Sequence, residues 1–252
     1  MSARTQEELV ETNFGQQAQA YVTSAVHASG ADLLALADLV RARPGSVLDL
    51  GTGGGHVAYA TAAAGGSVTA YDLSPRMLAS VQQEATRRGL TLQTRQGAAE
   101  HLPFGDASFD FVMSRFSAHH WTDFEAGLRE AVRVLRPGGT AAFVDVISPG
   151  SAVLDTYLQA VELLRDTSHV RDRSLGEWTD ALSRAGLHGL NVSTARLRMD
   201  FPVWIARMAT PERLEIAIRT LQKSMGDAVR QHFEFEDDGS FTIDTAVITA
   251  TR

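Results

Sequence analysis

The sequence predicts an α/β fold of alternating strands and helices. Three observations predict it. Short apolar runs of strand length alternate with stretches of helical periodicity, the first strand runs through a glycine loop into a helix, and the closing segment is rich in β-branched residues. The 252 residues, 44% of them hydrophobic, suit one such domain, 1–252, with a sizeable core.

The elements read off in order. The start is polar, and then Ala18, Tyr21, Val22 and Ala25 recur at helical spacing. Ala31 to Val40 is a second helix with an apolar stripe, stopped by Pro44-Gly45. Val47-Leu48-Asp49-Leu50 is a short buried strand, Gly51-Thr52-Gly53-Gly54-Gly55 the loop, and Val57 to Ala64 an alanine-rich helix. Val68 to Tyr71 gives the second strand, and Ser74-Pro75 opens a helix that keeps Met77, Leu78, Val81 and Ala85 inward. Leu90 to Thr94 and Phe109 to Met113 are the third and fourth strands. Phe124, Leu128, Ala131, Val132 and Leu135 mark an amphipathic helix ended at Arg136-Pro137-Gly138-Gly139, before a fifth strand over Thr140 to Val146. Val153 to Leu164 is helical, and Ser174-Leu175-Gly176-Glu177 is a capping box opening another helix. Leu187 to Met199 is the sixth strand, residues 201–235 hold two or three short helices, and Phe241 to Thr251 is the last strand.

Composition removes several function classes. Net charge is −7 and the basic residues, nearly all arginines, are scattered, so nucleic acid is not an expected partner. With no cysteine there are no disulfides, thiolate metal sites or cysteine nucleophiles. No apolar run is long enough to span a bilayer, and the start lacks the apolar core of a signal peptide; the expected location is the cytoplasm.

A strand, glycine loop and helix in succession aim backbone N–H groups and a helix N-terminus at a ligand. A nucleoside-triphosphate loop needs an adjacent lysine, yet the sole lysine is Lys223. A dinucleotide loop would want glycine at position 56, which is His56, and Asp49 would repel a pyrophosphate. The ammonium and sulfonium of S-adenosylmethionine (SAM) suit Asp49 better, and Asp72 stands about 20 residues beyond the loop, where an acid holds ribose hydroxyls in such folds.

V-L-D-L-G-T-G-G-G followed by Y-D-L-S resembles the first two motifs of the class I SAM-dependent methyltransferases. Gly97-Ala98-Ala99-Glu100-His101-Leu102-Pro103-Phe104, Ser117-Ala118-His119-His120-Trp121 and Leu135-Arg136-Pro137-Gly138-Gly139 are similar to the ubiquinone/menaquinone-methyltransferase-like branch. The resemblance covers residues 14 to 150. It implies a Rossmann-like seven-stranded sheet with the last strand antiparallel, a lid helix within residues 1–30, and an insertion over 202–236 capping the substrate side.

It further implies a cofactor site formed by Tyr21, Asp49, Gly51, Gly53, Gly55, Asp72, Leu73, Met77, Ala98, Ala99, Glu100, Ser114 and Arg115, with S-adenosylhomocysteine (SAH) as product. Ala98 departs from the family, which usually carries aspartate there, so adenine recognition passes to backbone groups around Ala98 and Ala99. The N/D-P-P-Y/F motif of base-methylating enzymes is absent after the fourth strand, which favours a small-molecule acceptor.

His119 and His120 leave the end of that strand, where open α/β sheets place their ligand crevice. Either imidazole could take the proton that a phenol, enol or amine must lose; the preferred arrangement has one of them packing structurally. Asp145 is a second candidate base, although capping the Ser148-Pro149-Gly150 loop is preferred. His27, Trp121, Trp204 and Arg207 are candidate substrate contacts. Arg165, His169, Arg171 and Arg173 read as a solvated face paired with Asp166 and Asp172, with an anion site as the sharper alternative.

The expected activity is SAM-dependent C- or O-methylation of an aromatic or quinol-like small molecule, without a metal and with a homodimer as one expected state. A SAM- or SAH-binding protein without transfer activity, and an NAD-dependent oxidoreductase, are the competing readings.

Overall fold

The computed structural model describes residues 5–16 and 30–252. The elements are α1 (Gln6–Gln16), α2 (Ala31–Ala42), β1 (Ser46–Leu50), α3 (His56–Ala63), β2 (Ser67–Asp72), α4 (Pro75–Arg87), β3 (Gln93–Gln96), β4 (Phe109–Arg115), a 3-10 turn (Ala118–His120), α5 (Phe124–Val134), β5 (Leu135–Ser148), α6 (Ala152–Arg165), β6 (Arg173–Ser174), α7 (Leu175–Arg184), β7 (His188–Met199), α8 (Phe201–Met208), α9 (Glu212–Ser224), α10 (Asp227–His232) and β8 (Phe241–Thr251). Among the described residues, no helix is long and apolar enough to cross a membrane.

Seven strands lie in the order β3-β2-β1-β4-β5-β8-β7, and the two-residue β6 pairs with β5 outside this path. The first five are parallel, while β8 runs antiparallel to both β5 and β7. The antiparallel closing strand is as expected; β6 adds an eighth strand that its two residues do not announce. The third strand begins at Gln93 rather than Leu90, because its register is set by pairing Thr69 with Gln93 and Asp72 with Gln96. In β5 the Arg136–Gly139 turn stands out as an irregularity, since Leu135 pairs with Phe109 and the next paired residue, Thr140, with Phe111.

Apolar faces cover the sheet on both sides. Leu36, Val40, Val57, Val81 and Ala85 pack on Val47, Phe111 and Met113. On the other face, Trp178 meets Phe124 edge-on at 4.7 Å and Phe143 at 5.4 Å, within a cluster that includes Leu128 and Leu182. A third cluster joins α6 to the segment 201–233: Tyr157, Leu158 and Val161 pack with Trp204, Ile218 and Phe233.

The helix α1 was not expected from its polar sequence. Polar bonds tie it to a remote loop: the Gln6 side chain donates to the Ser168 carbonyl at 2.6 Å and Asn13 to the Asp166 carboxylate at 2.9 Å. The expected helix around Ala18 to Ala25, with Tyr21 and His27, lies outside the described residues.

Candidate active site

The carboxyl ends of β1, β2 and β4 meet around the glycine loop, and local geometry builds the site from there. Gly51 and Thr52 both donate their N–H groups to the Tyr71 carbonyl at 2.9 Å, folding the loop back over β2. Gly51 takes φ +72°, and a Cβ there would collide with the Ser117 side chain, so loop and post-β4 turn touch only because this residue is glycine. Gly97 performs the same service for the Tyr71 hydroxyl, which reaches the carbonyls of Ala98 and His101 at 3.1 and 3.2 Å.

A cavity opens above this loop. Gly51, Gly53, Asp72, Leu73, Met77, Ala99, Glu100, His120 and Trp121 line it, which brings together more than half of the expected cofactor residues. Asp72 accepts from the Gly53 and Ser74 N–H groups, both at 2.9 Å, and its carboxylate retains further lone pairs for a ligand. Burial raises its pKa. Trp121 packs as the wall, its indole N–H donating to the Ser117 hydroxyl at 3.2 Å.

Other expected residues stand elsewhere. Asp49 lies beneath the loop, 1% exposed, accepting from the Thr52 hydroxyl at 2.5 Å and the Ala58 N–H at 3.0 Å. Its burial pushes the carboxyl up to about 7. Gly55 forms the start of α3, against Tyr59, and Ala98 contributes its carbonyl to Tyr71 rather than a face to the cavity. Ser114 is buried in β4. Arg115 points away from the loop, donating to Asp32 at 2.5 Å and stacking over Phe116, and it borders a separate cleft beside β7 and β8.

A second cavity adjoins the first. His119, Glu162, Arg165, Asp172, Trp204 and Arg207 supply its polar and aromatic wall, with Val146, Leu197, Met199 and Ile243 completing it. Phe14, Phe116 and His120 belong to both cavities. Both histidines therefore face the crevice, contrary to the expected split in which one packs structurally.

The two imidazoles are shifted in opposite directions. His119 Nδ1 lies 2.6 Å from Asp145 Oδ1. Burial opposes its proton, but the attraction and hydrogen bond of Asp145 prevail and raise its pKa to about 9. Asp145 thus serves His119 rather than capping the following loop. His120 Nδ1 lies 3.1 Å from the Ser168 carbonyl, which can only accept, so Nδ1 carries the hydrogen and Nε2 the lone pair. Burial and the neighbouring His119 charge lower its pKa to about 4.

The segment 165–173 is not the solvated face its charges suggest. Asp166, His169 and Asp172 are buried, at 2%, 7% and 1% exposure, behind the histidines. Val170 and Arg171 donate their N–H groups to the His119 carbonyl at 2.9 and 3.1 Å, which clamps the segment onto the turn. Glu162 and Phe14 are wall residues that the sequence reading missed. Val10 and Phe14, one helical turn apart on α1, were the available signal for the second; nothing local marks Glu162.

The Methyltransferase domain family matches residues 48–143. The chain is 50% identical over 187 residues to the uncharacterized protein YafE of Escherichia coli (strain K12), covering 74% of this chain and 90% of that protein. It is 34% identical to the uncharacterized methyltransferase YcgJ of Bacillus subtilis (strain 168), over 88% of this chain and 89% of YcgJ. The chain belongs to the class I methyltransferase family. The crystal structure of YcgJ superimposes on this methyltransferase fold with a TM-score of 0.81, covering 87% of this chain and 98% of that one at 30% identity. Demethylmenaquinone methyltransferase of Chlorobaculum tepidum is 38% identical over 113 residues, 44% of this chain and 45% of that enzyme.

Proposed function

We propose that this chain transfers a methyl group from SAM to a small, largely apolar acceptor of aromatic or quinol type, at carbon or oxygen. The observation that carries the reading is the pair of adjoining cavities, one over the glycine loop and Asp72, the other walled by aromatic and apolar side chains, with His120 common to both. The likeness to a demethylmenaquinone methyltransferase supports the acceptor class. Bound SAM would supply an electrophilic methyl on a cationic sulfur.

The residues of the first cavity fit that molecule. The Asp72 carboxylate suits ribose hydroxyls, Leu73, Met77 and Ala99 suit the faces of an adenine, and the loop N–H groups suit the amino-acid end. Asp49 acts from below the loop as a charge rather than as a contact. In the second cavity, α8 belongs to a helical cap over 202–236 and holds the acceptor through Trp204 and Arg207. His120 Nε2 takes the acceptor's proton, and the nearby Asp166 carboxylate, 3.9 Å away, favours the resulting imidazolium. His119, kept charged by Asp145, is a hydrogen-bond donor to the acceptor oxygen. Most of the rate comes from aligning donor and acceptor in a dry pocket.

Incubation of the protein with SAM and a panel of phenols and quinols, with SAH release followed, tests the reading. Turnover on an acceptor of this class supports it; SAM binding without turnover on any of them leaves a binding protein.

Two further outcomes concern the cofactor side. Asp72→Ala is expected to weaken SAM binding by about 1–3 kcal/mol, the scale of hydrogen bonds to a charged group; calorimetric affinity equal to wild type refutes the assignment. Asp49 makes binding pH-dependent. Its pKa in the fold, about 7 against an ordinary 3.8, means that the ligand-free protein carries a proton the unfolded chain has lost, so this group's stabilising contribution falls as pH rises from about 4 through 7. A cation over the loop favours the ionised form. SAM should therefore bind less tightly as pH drops below 7, with release of up to one proton near pH 6. Calorimetry in buffers of different ionisation heat reads that proton, and Asp49→Asn should abolish it.

A further inference from the structure

His119, Asp145 and Asp172 come from three separate elements: the turn after β4, the end of β5, and the residue before β6. One ligand-capable atom of each lies within 4.8 Å of the others. The backbone holds all three in place. His119 is clamped by the N–H groups of Val170 and Arg171, and Asp172 directly precedes the pairing of Arg173 with Ile147 in β5. The Asp172 N–H also donates to Gln159 Oε1 at 3.1 Å.

A second, independent feature concerns Asp172 itself. Its side chain is 1% exposed, and Oδ2 has no hydrogen-bond partner. The nearest imidazole nitrogen, His169 Nε2, is 3.8 Å away and is already engaged with Gln159 Oε1 at 2.9 Å. A buried carboxylate oxygen without a donor is costly, and a second acid, Glu162, borders the same cavity. Arg165 balances part of this charge through Glu162, at 3.7 Å, and stacks over Trp204. The orphaned oxygen thus faces a site rich in hard donors, in which the His119 proton is held by Asp145 and Arg165 is engaged with Glu162.

We propose that His119, Asp145 and Asp172 form a binding site for one first-row divalent cation on the wall of the acceptor cavity. One imidazole nitrogen and two carboxylate oxygens suit the Mn²⁺, Fe²⁺ and Zn²⁺ group better than a soft metal, and the absence of cysteine excludes thiolate competition. When bound, the cation displaces the proton that His119 shares with Asp145 in the metal-free protein, and takes over from the imidazolium as the group facing the acceptor oxygen; a neutral imidazole, two carboxylates and a 2+ ion then sum to zero charge in the buried space. His119 and Asp172 both border the acceptor cavity, so remaining coordination positions open toward an acceptor oxygen.

Binding can be read without turnover, which keeps this site separate from the methyl-transfer reading. Protein stripped with a chelator is titrated with Mn²⁺, and the free-ion electron paramagnetic resonance signal is followed; Co²⁺ absorption gives a second readout. One ion per chain is expected, with at least a tenfold loss of affinity in Asp172→Asn at an unchanged melting temperature. His119→Gln should lose affinity similarly, and serves if Asp172→Asn does not fold. Wild-type protein that binds Mn²⁺, Co²⁺ and Zn²⁺ no more tightly than folded Asp172→Asn overturns the proposal. So does stabilisation by simple alkylammonium ions with none by metals, which would assign Asp172 to an amine. SAH titration of the same samples reports on the cofactor site independently.

Discussion

His120→Ala is expected to lower kcat by about 10²–10⁴-fold, the usual contribution of a positioned acid or base. The neutral imidazole is available across the physiological range because burial and the His119 charge hold its pKa down to about 4. At saturating SAM, kcat should therefore rise with pH through about 4. In metal-free, chelator-treated protein it should fall again near 9, where His119 gives up the proton that Asp145 holds on it. Steady-state rates across that span test both limbs, and Asp145→Asn, by removing the attraction that keeps His119 charged, should move the alkaline limb to lower pH. An acid limb that survives unchanged in His120→Ala, or a kcat equal to wild type, removes His120 from the reaction.

The largest stability effect is expected at Trp178. Its indole is 2% exposed and wedged between Phe124 and Phe143, so it joins α5, α7 and β5 in a single packed cluster. Trp178→Ala removes that packing and leaves a cavity that the sheet cannot collapse to fill. A loss of about 3–5 kcal/mol in unfolding free energy follows. Urea denaturation measures it, and a change below about 1 kcal/mol would mean that the cluster relaxes around the hole.

The order of strands and helices was legible because hydrophobic periodicity and punctuation agree along the first 150 residues. Val47 to Leu50 could hardly be anything but a central strand, and Ser74-Pro75 marks a helix start by two chemically separate signals. Asp72 could be placed at the cavity over the glycine loop from its spacing to that loop alone. Asp49 could not: one residue pair before the loop, a carboxylate can point into the cavity or under it, and Thr52 and Ala58 decide for the second.

The second cavity was hardest to read. Asp166, His169 and Asp172 lie in a run dense with arginines, where local composition resembles a solvated surface. They are buried because Val170 and Arg171 bond to the turn carrying His119, a contact across about 50 residues that no local pattern encodes. Asp145 is similar: its partnership with His119 depends on the register of β4 beside β5. Arg115 went the other way, since Asp32 on α2 competes successfully for it.

The short helix α1 has a kinetic consequence. Phe14 meets the His120 ring at 4.9 Å and forms part of the wall of both chambers, while Gln6 and Asn13 fasten the same helix to the Ser168 and Asp166 loop. One latch thus serves two compartments. If the two chambers hold cofactor and acceptor as proposed, releasing α1 breaks the same few polar bonds whichever leaves, and loosening it should shorten both residence times together.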